Sequence, residues 1–569
     1  MASWIEYTSP SWRELNMQKL SVDQAYLRAI STTNEDSWVY SLSEECYKCP
    51  YSKLLSISPH KRIHTKIGVA RSVFFKVFDQ DVGDYAFENQ TAICEIATNL
   101  GEFGVYNLTV TDNKTCTFTT DKEPVDIYLP MLLVAIIFAS ITIILQATRY
   151  LYKRCSRLAE TGDSGDELVD MNKKVPVKKR MKSIDTFRGI IIVLMIFVNN
   201  GGGEYWWIDH APWNGLHVAD LVFPSFIWIM GVCIPLSIKS QLGRNISKKS
   251  ILLNILWRSV KLFLIGLFLN SINGAKFEDL RIMGILQRLG IAYFLVASLY
   301  TIFVTNEYIL PQGRVKRALF DIIYIKYVWI FGIAITAVNM AIIYALDVPG
   351  CPRGYLGPGG THEMGSYKDC MGGAAGYIDK LILGTNHIYQ HPTAKKIYNS
   401  TAFDPEGLLG CLLTTVQTIL GLQCGTTILI YTTWKSRVNR WLSWSVGCGV
   451  IAGVLCLFSK EEGWIPVNKN LMSLSFVLAT SSMAFLFEAL CFLLIDVKGK
   501  WNGYPFLQCG MNAILLYVGH SVLHKMLPWH WSTGLMNTHF MLLLKCTWTT
   551  FLWIIVAIYC YKKNFFYVL

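Results

Sequence analysis

The sequence predicts a polytopic α-helical membrane protein with a small β-sandwich-like domain ahead of its helices. Three observations carry that prediction. Of the 569 residues, 52% are hydrophobic and 16% charged, against roughly 25% charged in soluble domains. Apolar runs of about 18 or more residues, long enough to cross a ~30 Å hydrocarbon core, recur about eleven times. The net charge of +12 falls almost entirely between those runs, which speaks for membrane sidedness rather than nucleic acid. Sixteen scattered cysteines and 13% aromatic residues exclude a small disulfide scaffold and a disordered chain.

Residues 1–126 come first, and MASWIEYTSPSWRELNMQKL shows no continuous apolar stretch of the signal-peptide kind. From about residue 36, short alternating segments such as ARSVFFKVFDQD and GVYNLTVTDNKTCTFTT predict strands, punctuated by Gly, Asn and Asp. A first apolar run covers 127–149, and a basic loop covers 150–182. Ten further runs lie near 187–203, 216–238, 250–271, 284–304, 322–345, 408–431, 440–458, 471–495, 505–526 and 541–561. They make 183–569 a ten-helix membrane domain interrupted by a long loop at 347–407.

With eleven crossings, the basic clusters at Arg149 to Lys182, Arg244 to Lys249, Arg314 to Arg317, Lys435 to Arg440, Lys498 to Lys500 and Lys562 to Lys563 share one side. The positive-inside rule makes that side cytosolic. The N-terminal domain and the 347–407 loop then face the opposite compartment, and the C-terminus faces the cytosol. Glycosylation sequons at Asn89, Asn107, Asn113 and Asn399 fall on the non-cytosolic side, whereas the sequon at Asn245 falls in a basic loop. Cys46, Cys49, Cys94, Cys116, Cys351 and Cys370 occupy the same oxidising side in even numbers. A disulfide reading therefore outweighs a metal or redox reading of Cys46-x-x-Cys49, and no metal site is expected.

Ionisable residues within apolar spans are costly, so they are functional candidates. SIDTFRG places Asp185 and Arg188 at the cytosolic mouth of the second run, and Asn199 lies eleven residues beyond Arg188, ~16 Å along a helix. Asn254, Arg258 and Lys261 share one face of the fourth run. Arg188, Arg258 and Lys261 are cationic candidates for holding phosphates. His210 lies in the aromatic stretch EYWWIDHAPWNG, where an imidazole suits proton transfer. Asp209 and Asn214 flank it. Arg281 and Arg288, at the start of the fifth run, offer cationic forks for sulfates or carboxylates. His217, Asp220, Gln287, His520 and His524 are further intramembrane polar groups.

These motifs join into an ordered series: SIDTFRG, VNNGGGEYWWIDHAPWNGLHVADLVFPSFIWIMG, RIMGILQRLG, VPGCPRGYLGPGG, GGAAGYIDKLILG, HIYQHP, FDPEGLLG, IPVNKNLMSLSF and GMNAILLYVGH. The series strongly resembles the heparan-α-glucosaminide N-acetyltransferases, a family of lysosomal transmembrane enzymes. It covers 183–569 densely, and the N-terminal domain more loosely through GEFGVYNLTV and KEPVDIYLP. The resemblance implies transfer of acetyl from cytosolic acetyl-CoA, as co-substrate, to the amine of a terminal glucosamine of heparan sulfate. It implies a lysosomal membrane location and a homodimer. His210 matches the family's catalytic histidine and Asn199 its site asparagine; the wider acyltransferase-3 families carry His at the position of Asn199. With Arg188, Arg258 and Lys261 for the CoA phosphates, the acceptor candidates are Arg281, Arg288, Asp209 and Asn214. A multi-span solute transporter is the rival reading, and a paralogue acetylating another amino sugar is a further one.

Overall fold

The computed structural model describes residues 5, 7, 10–87, 89–111, 115–160, 181–272, 274, 276–305 and 313–567. Asn113 and most of the 150–182 loop lie outside the described residues.

The N-terminal domain opens on a hairpin of β1 (Ser11–Trp12) and β2 (Leu15–Asn16). Then come β3 (Gln24–Ser31), β4 (Ser37–Ser43), β5 (Tyr51–Ile57), β6 (Arg62–Gly68), β7 (Val73–Phe78) and β8 (Tyr85–Ala86). β9 (Cys94–Thr98), β10 (Val105–Val110) and β11 (Cys116–Lys122) complete it. A four-stranded sheet, β11-β10-β3-β6, packs on a five-stranded one, β8-β5-β4-β7-β9. All pairs are antiparallel except β10 with β3. The alternating pattern puts Leu27, Val39, Val77 and Leu108 between the sheets with no exposure, each burial contributing about 1.5–3 kcal/mol. The Cys94–Cys116 disulfide ties the β9 edge of one sheet to the β11 edge of the other. Cys46–Cys49 and Cys351–Cys370 are the other two pairs.

The rest of the chain is helical, and the polytopic membrane class holds. Among the described residues, seven helices are long and apolar enough to cross a membrane: Ala219–Leu242, Lys248–Ser271, Ile285–Phe303, Lys326–Ala345, Gly410–Ile430, Leu474–Val497 and His539–Lys562. Leu129–Ile141 and Ala513–Val522 are shorter apolar segments, and Lys182–Asn199 is an 18-residue helix.

Gly410–Ile430 is buried along most of its length. It reaches that position because glycines let backbones touch: a Cβ at Gly231 would sit 2.2 Å from the Thr418 carbonyl oxygen, and one at Gly421 2.0 Å from that of Trp228. Small residues at such contacts replace the hydrophobic drive that lipid cannot supply. The same device joins Lys182–Asn199 to the short helix Phe506–Met511, where a Cβ at Gly189 would lie 1.7 Å from the Phe506 carbonyl oxygen.

The β domain is seated on the loops of the helical part. The Tyr398 hydroxyl donates to the Glu45 carbonyl, and Met364 N–H donates to the Lys48 carbonyl. Cys49 packs in one apolar cluster with Trp213, Tyr398 and Phe403. The Arg71 guanidinium lies 3.1 Å from the Trp206 ring centroid, so the stretch carrying His210 is pressed between the two parts.

Candidate active site

Lys182–Asn199 begins where the Asp496 carboxylate accepts from the Lys182 and Ser183 N–H groups, at 3.1 and 3.0 Å. These are two of the donors a helix start leaves unpaired. The helix ends at Asn199, and Gly201, Gly202 and Gly203 follow with φ of 101°, 56° and 77°. Only glycine takes such a run cheaply. The turn folds residues 204–218 across the end of the bundle before the chain enters Val222–Leu242.

Asp220 lies in the tight 3₁₀ turn Ala219–Leu221 that opens the Ala219–Leu242 span, and it organises the loop. It has no exposure, and it accepts from His210 Nδ1 at 2.7 Å and from the Ala211 and His217 N–H groups at 3.1 Å. Donation from Nδ1 fixes the tautomer and leaves the Nε2 lone pair available.

Lys469, absent from the sequence candidates, completes the cluster. Its Nζ lies 3.0 Å from His210 Nδ1, 3.2 Å from Nε2 and 3.9 Å from Asp220 Oδ1. The ammonium thus lies within hydrogen-bonding reach of both ring nitrogens. Asn214, expected to bind acceptor, is committed elsewhere: it donates to Glu461 and accepts from Asn468, at 2.7 and 3.0 Å. It thus anchors the segment that carries Lys469. Asp209 accepts from its neighbour's N–H, and its carbonyl accepts from His217 Nδ1.

His210, Lys469 and Asn199 line a cavity of about 280 Å³ that continues along one face of Lys182–Asn199, past Met195 and Ile192, to Arg188. Asn199 Nδ2 donates to His520 Nε2 at 3.0 Å while His520 Nδ1 donates to the Leu516 carbonyl. That pair sets the orientation of the amide.

At the other end, Arg188 is held by Asp185, the Gly510 carbonyl and Cys233 Sγ. Arg258 lies 4.7 Å from the Tyr293 ring centroid, and its Nε finds no partner among the described residues. Both arginines line the cavity, whereas Lys261 is exposed and outside its lining.

Arg281 and Arg288 do not present free forks. Arg281 donates to Asp404 at 2.9 and 2.5 Å and to Glu406 at 2.6 Å. Burial disfavours its charge, yet those two carboxylates hold its pKa above the ordinary value. Arg288, 1% exposed, donates to the Gly407 carbonyl. Glu406 lines the cavity beside Lys469. Burial works to neutralise it, but Arg281, Lys469 and Arg288 hold its pKa below the ordinary value. Arg281 therefore acts on the site through Glu406.

Asn89 and Asn399 are exposed and Asn107 is half-buried.

The family description "Heparan-alpha-glucosaminide N-acetyltransferase, catalytic" matches residues 180–314, the stretch that contributes Arg188, Asn199, His210, Asp220 and Arg258. The heparan-alpha-glucosaminide N-acetyltransferase of Homo sapiens is 36% identical over 598 aligned positions, covering 96% of this chain and 88% of its own. The chain belongs to the heparan-α-glucosaminide N-acetyltransferase family. The Mus musculus member is also 36% identical, covering 98% of this chain and 90% of its own. Membership extends over the β domain and the helical part together.

Proposed function

We propose that the chain transfers acetyl from acetyl-CoA to the amine of a terminal non-reducing α-glucosamine of heparan sulfate, across the lysosomal membrane, in support of heparan sulfate degradation. The carrying observation is the single cavity that has two arginines at one end and His210 with Asn199 at the other. In this reading the β domain and the His210 end face the lumen, and the Arg188 end and the C-terminus face the cytosol. The sidedness of basic residues and sequons supports it. The homodimer implied by the resemblance belongs to the same reading.

Arg258, with no carboxylate partner among the described residues, and Arg188 hold the CoA phosphates, and the pantetheine arm runs along the Ile192 and Met195 face. The thioester carbonyl then lies by Asn199, whose amide donates to the oxyanion. His210 Nε2 takes a proton from the glucosamine ammonium, the amine attacks the thioester carbon, and as the C–S bond breaks the imidazolium returns that proton to the departing CoA thiolate while the new amide nitrogen sheds its second proton to solvent. The Asp220 carboxylate meets the resulting imidazolium. Lys469 faces the negative charge on the tetrahedral carbon's oxygen. Glu406 gives the incoming ammonium an anionic surface beside the donor, which favours direct transfer within a ternary complex. The test is labelled acetyl transfer from acetyl-CoA to a glucosaminide by membranes carrying the chain. Transfer supports the reading, and its absence with folded protein present overturns it.

A further inference from the structure

The C-terminal tail is built into the mouth of the cavity. The last long helix ends at Lys562. Asn564 then takes a φ of 53°, Asn564 N–H donates to the Tyr561 carbonyl, and Phe565 N–H reaches back to the Cys560 carbonyl at 2.9 Å. This pair of bonds around one left-handed residue is a Schellman closure, and it turns the chain back over the bundle end.

The returning tail meets Asn512, a residue with no exposure in the break between Phe506–Met511 and Ala513–Val522. Both ends of the Asn512 amide serve the tail: Nδ2 donates to the Phe565 carbonyl at 3.0 Å, and Oδ1 accepts from the Tyr567 N–H at 3.1 Å. A buried amide thus holds the segment at Tyr567 in place.

Tyr567 lines the same cavity as Arg188 and Arg258. Its end of the cavity follows from its neighbours, because Asn512 stands two residues after Gly510, whose carbonyl accepts from Arg188. Tyr567 is 46% exposed, so it stands at an opening lined also by the two guanidinium groups.

Resting on the acetyl-CoA reading above, we infer that Tyr567 is the platform on which the adenine of the donor stacks, with Asn512 as the residue that positions it. A purine attached to several phosphates is what an aromatic face beside two arginines would take. Every base presents a π-face to such a ring, and the phosphates go to the guanidinium forks.

The experiment compares two donors, acetyl-CoA and S-acetyl-4′-phosphopantetheine, which lacks the adenine nucleotide, in the wild-type chain, Tyr567→Ala, Tyr567→Phe and Asn512→Ala. In Tyr567→Ala the KM for acetyl-CoA rises about tenfold with kcat little changed while the KM for the truncated donor stays put, so the advantage of acetyl-CoA shrinks by about the same factor. Tyr567→Phe restores that advantage, and Asn512→Ala repeats the Tyr567→Ala pattern. Should Asn512→Ala fail to fold, the two Tyr567 variants decide alone. An unaltered donor preference in Tyr567→Ala overturns the inference, as does an equal rise in KM for both donors. Transfer from neither donor by the wild-type chain overturns instead the reading on which it rests.

Discussion

His210 Nδ1 lies 2.7 Å from Asp220 Oδ1, a carboxylate with no exposure to solvent. The same carboxylate accepts the backbone N–H groups of Ala211 and His217. One residue thus fixes both the shape of the loop and the tautomer of the His210 imidazole.

Asp220→Asn preserves the size of the side chain but lets its amide donate where the carboxylate only accepts. The imidazole then presents the wrong nitrogen to the cavity. We expect kcat to fall about 10²–10⁴-fold with little change in KM for acetyl-CoA. Steady-state kinetics on protein of unaltered expression check this, and a KM effect alone would reassign Asp220 to donor binding.

Lys469 is expected to tolerate arginine better than an apolar residue. Lys469→Met loses the cation facing the oxyanion and lowers kcat roughly 10²-fold, the scale of one oxyanion partner, whereas Lys469→Arg retains part of the rate. Equal losses in the two variants would mean that Lys469 serves packing.

The two guanidinium groups at the cavity mouth separate from Lys261. Arg258→Gln raises the KM for acetyl-CoA on the order of tenfold, since it removes a charge-assisted phosphate contact, and alters the KM for the glucosaminide less. Lys261→Gln, at an exposed position outside the cavity lining, leaves both constants near the wild-type values. Matching effects of the two substitutions would restore a diffuse electrostatic role.

Asp379 provides the pH dependence. It is 2% exposed, and burial, with Asp404 nearby, pushes its pKa from 3.8 up to about 7 against the Leu408 N–H that accompanies it. Between those values the folded state binds the extra proton, so this group's contribution to stability falls as pH rises from about 4 to about 7. Asp379→Asn is neutral throughout. Relative to wild type it should gain about 3 kcal/mol between roughly pH 5 and roughly pH 8. Thermal unfolding of the two chains at both pH values measures the difference, and parallel pH profiles would contradict it.

The fold class was legible because hydropathy sets it: runs such as FIWIMGVCIPLSI and FVLATSSMAFLF can only be buried or face lipid. The alternating strands of the β domain were legible for the same reason. Side-chain partnerships were not. Arg281 reads as a free cation until Asp404 and Glu406, more than a hundred residues away, close on it. Lys469 approaches His210 across 259 positions, and no local periodicity announces that. One signal was present: Lys469 stands just ahead of the apolar run of 471–495. Asn214 is a second case, a polar residue near His210 whose bonds to Glu461 and Asn468 hold Lys469's segment.

The most direct test is transfer of radiolabelled acetyl from acetyl-CoA to a glucosaminide by membranes carrying the wild-type chain or His210→Ala. Transfer is expected from the first, and from the second none above background at equal protein level. Undiminished transfer by His210→Ala would remove the base from the mechanism and contradict the central claim.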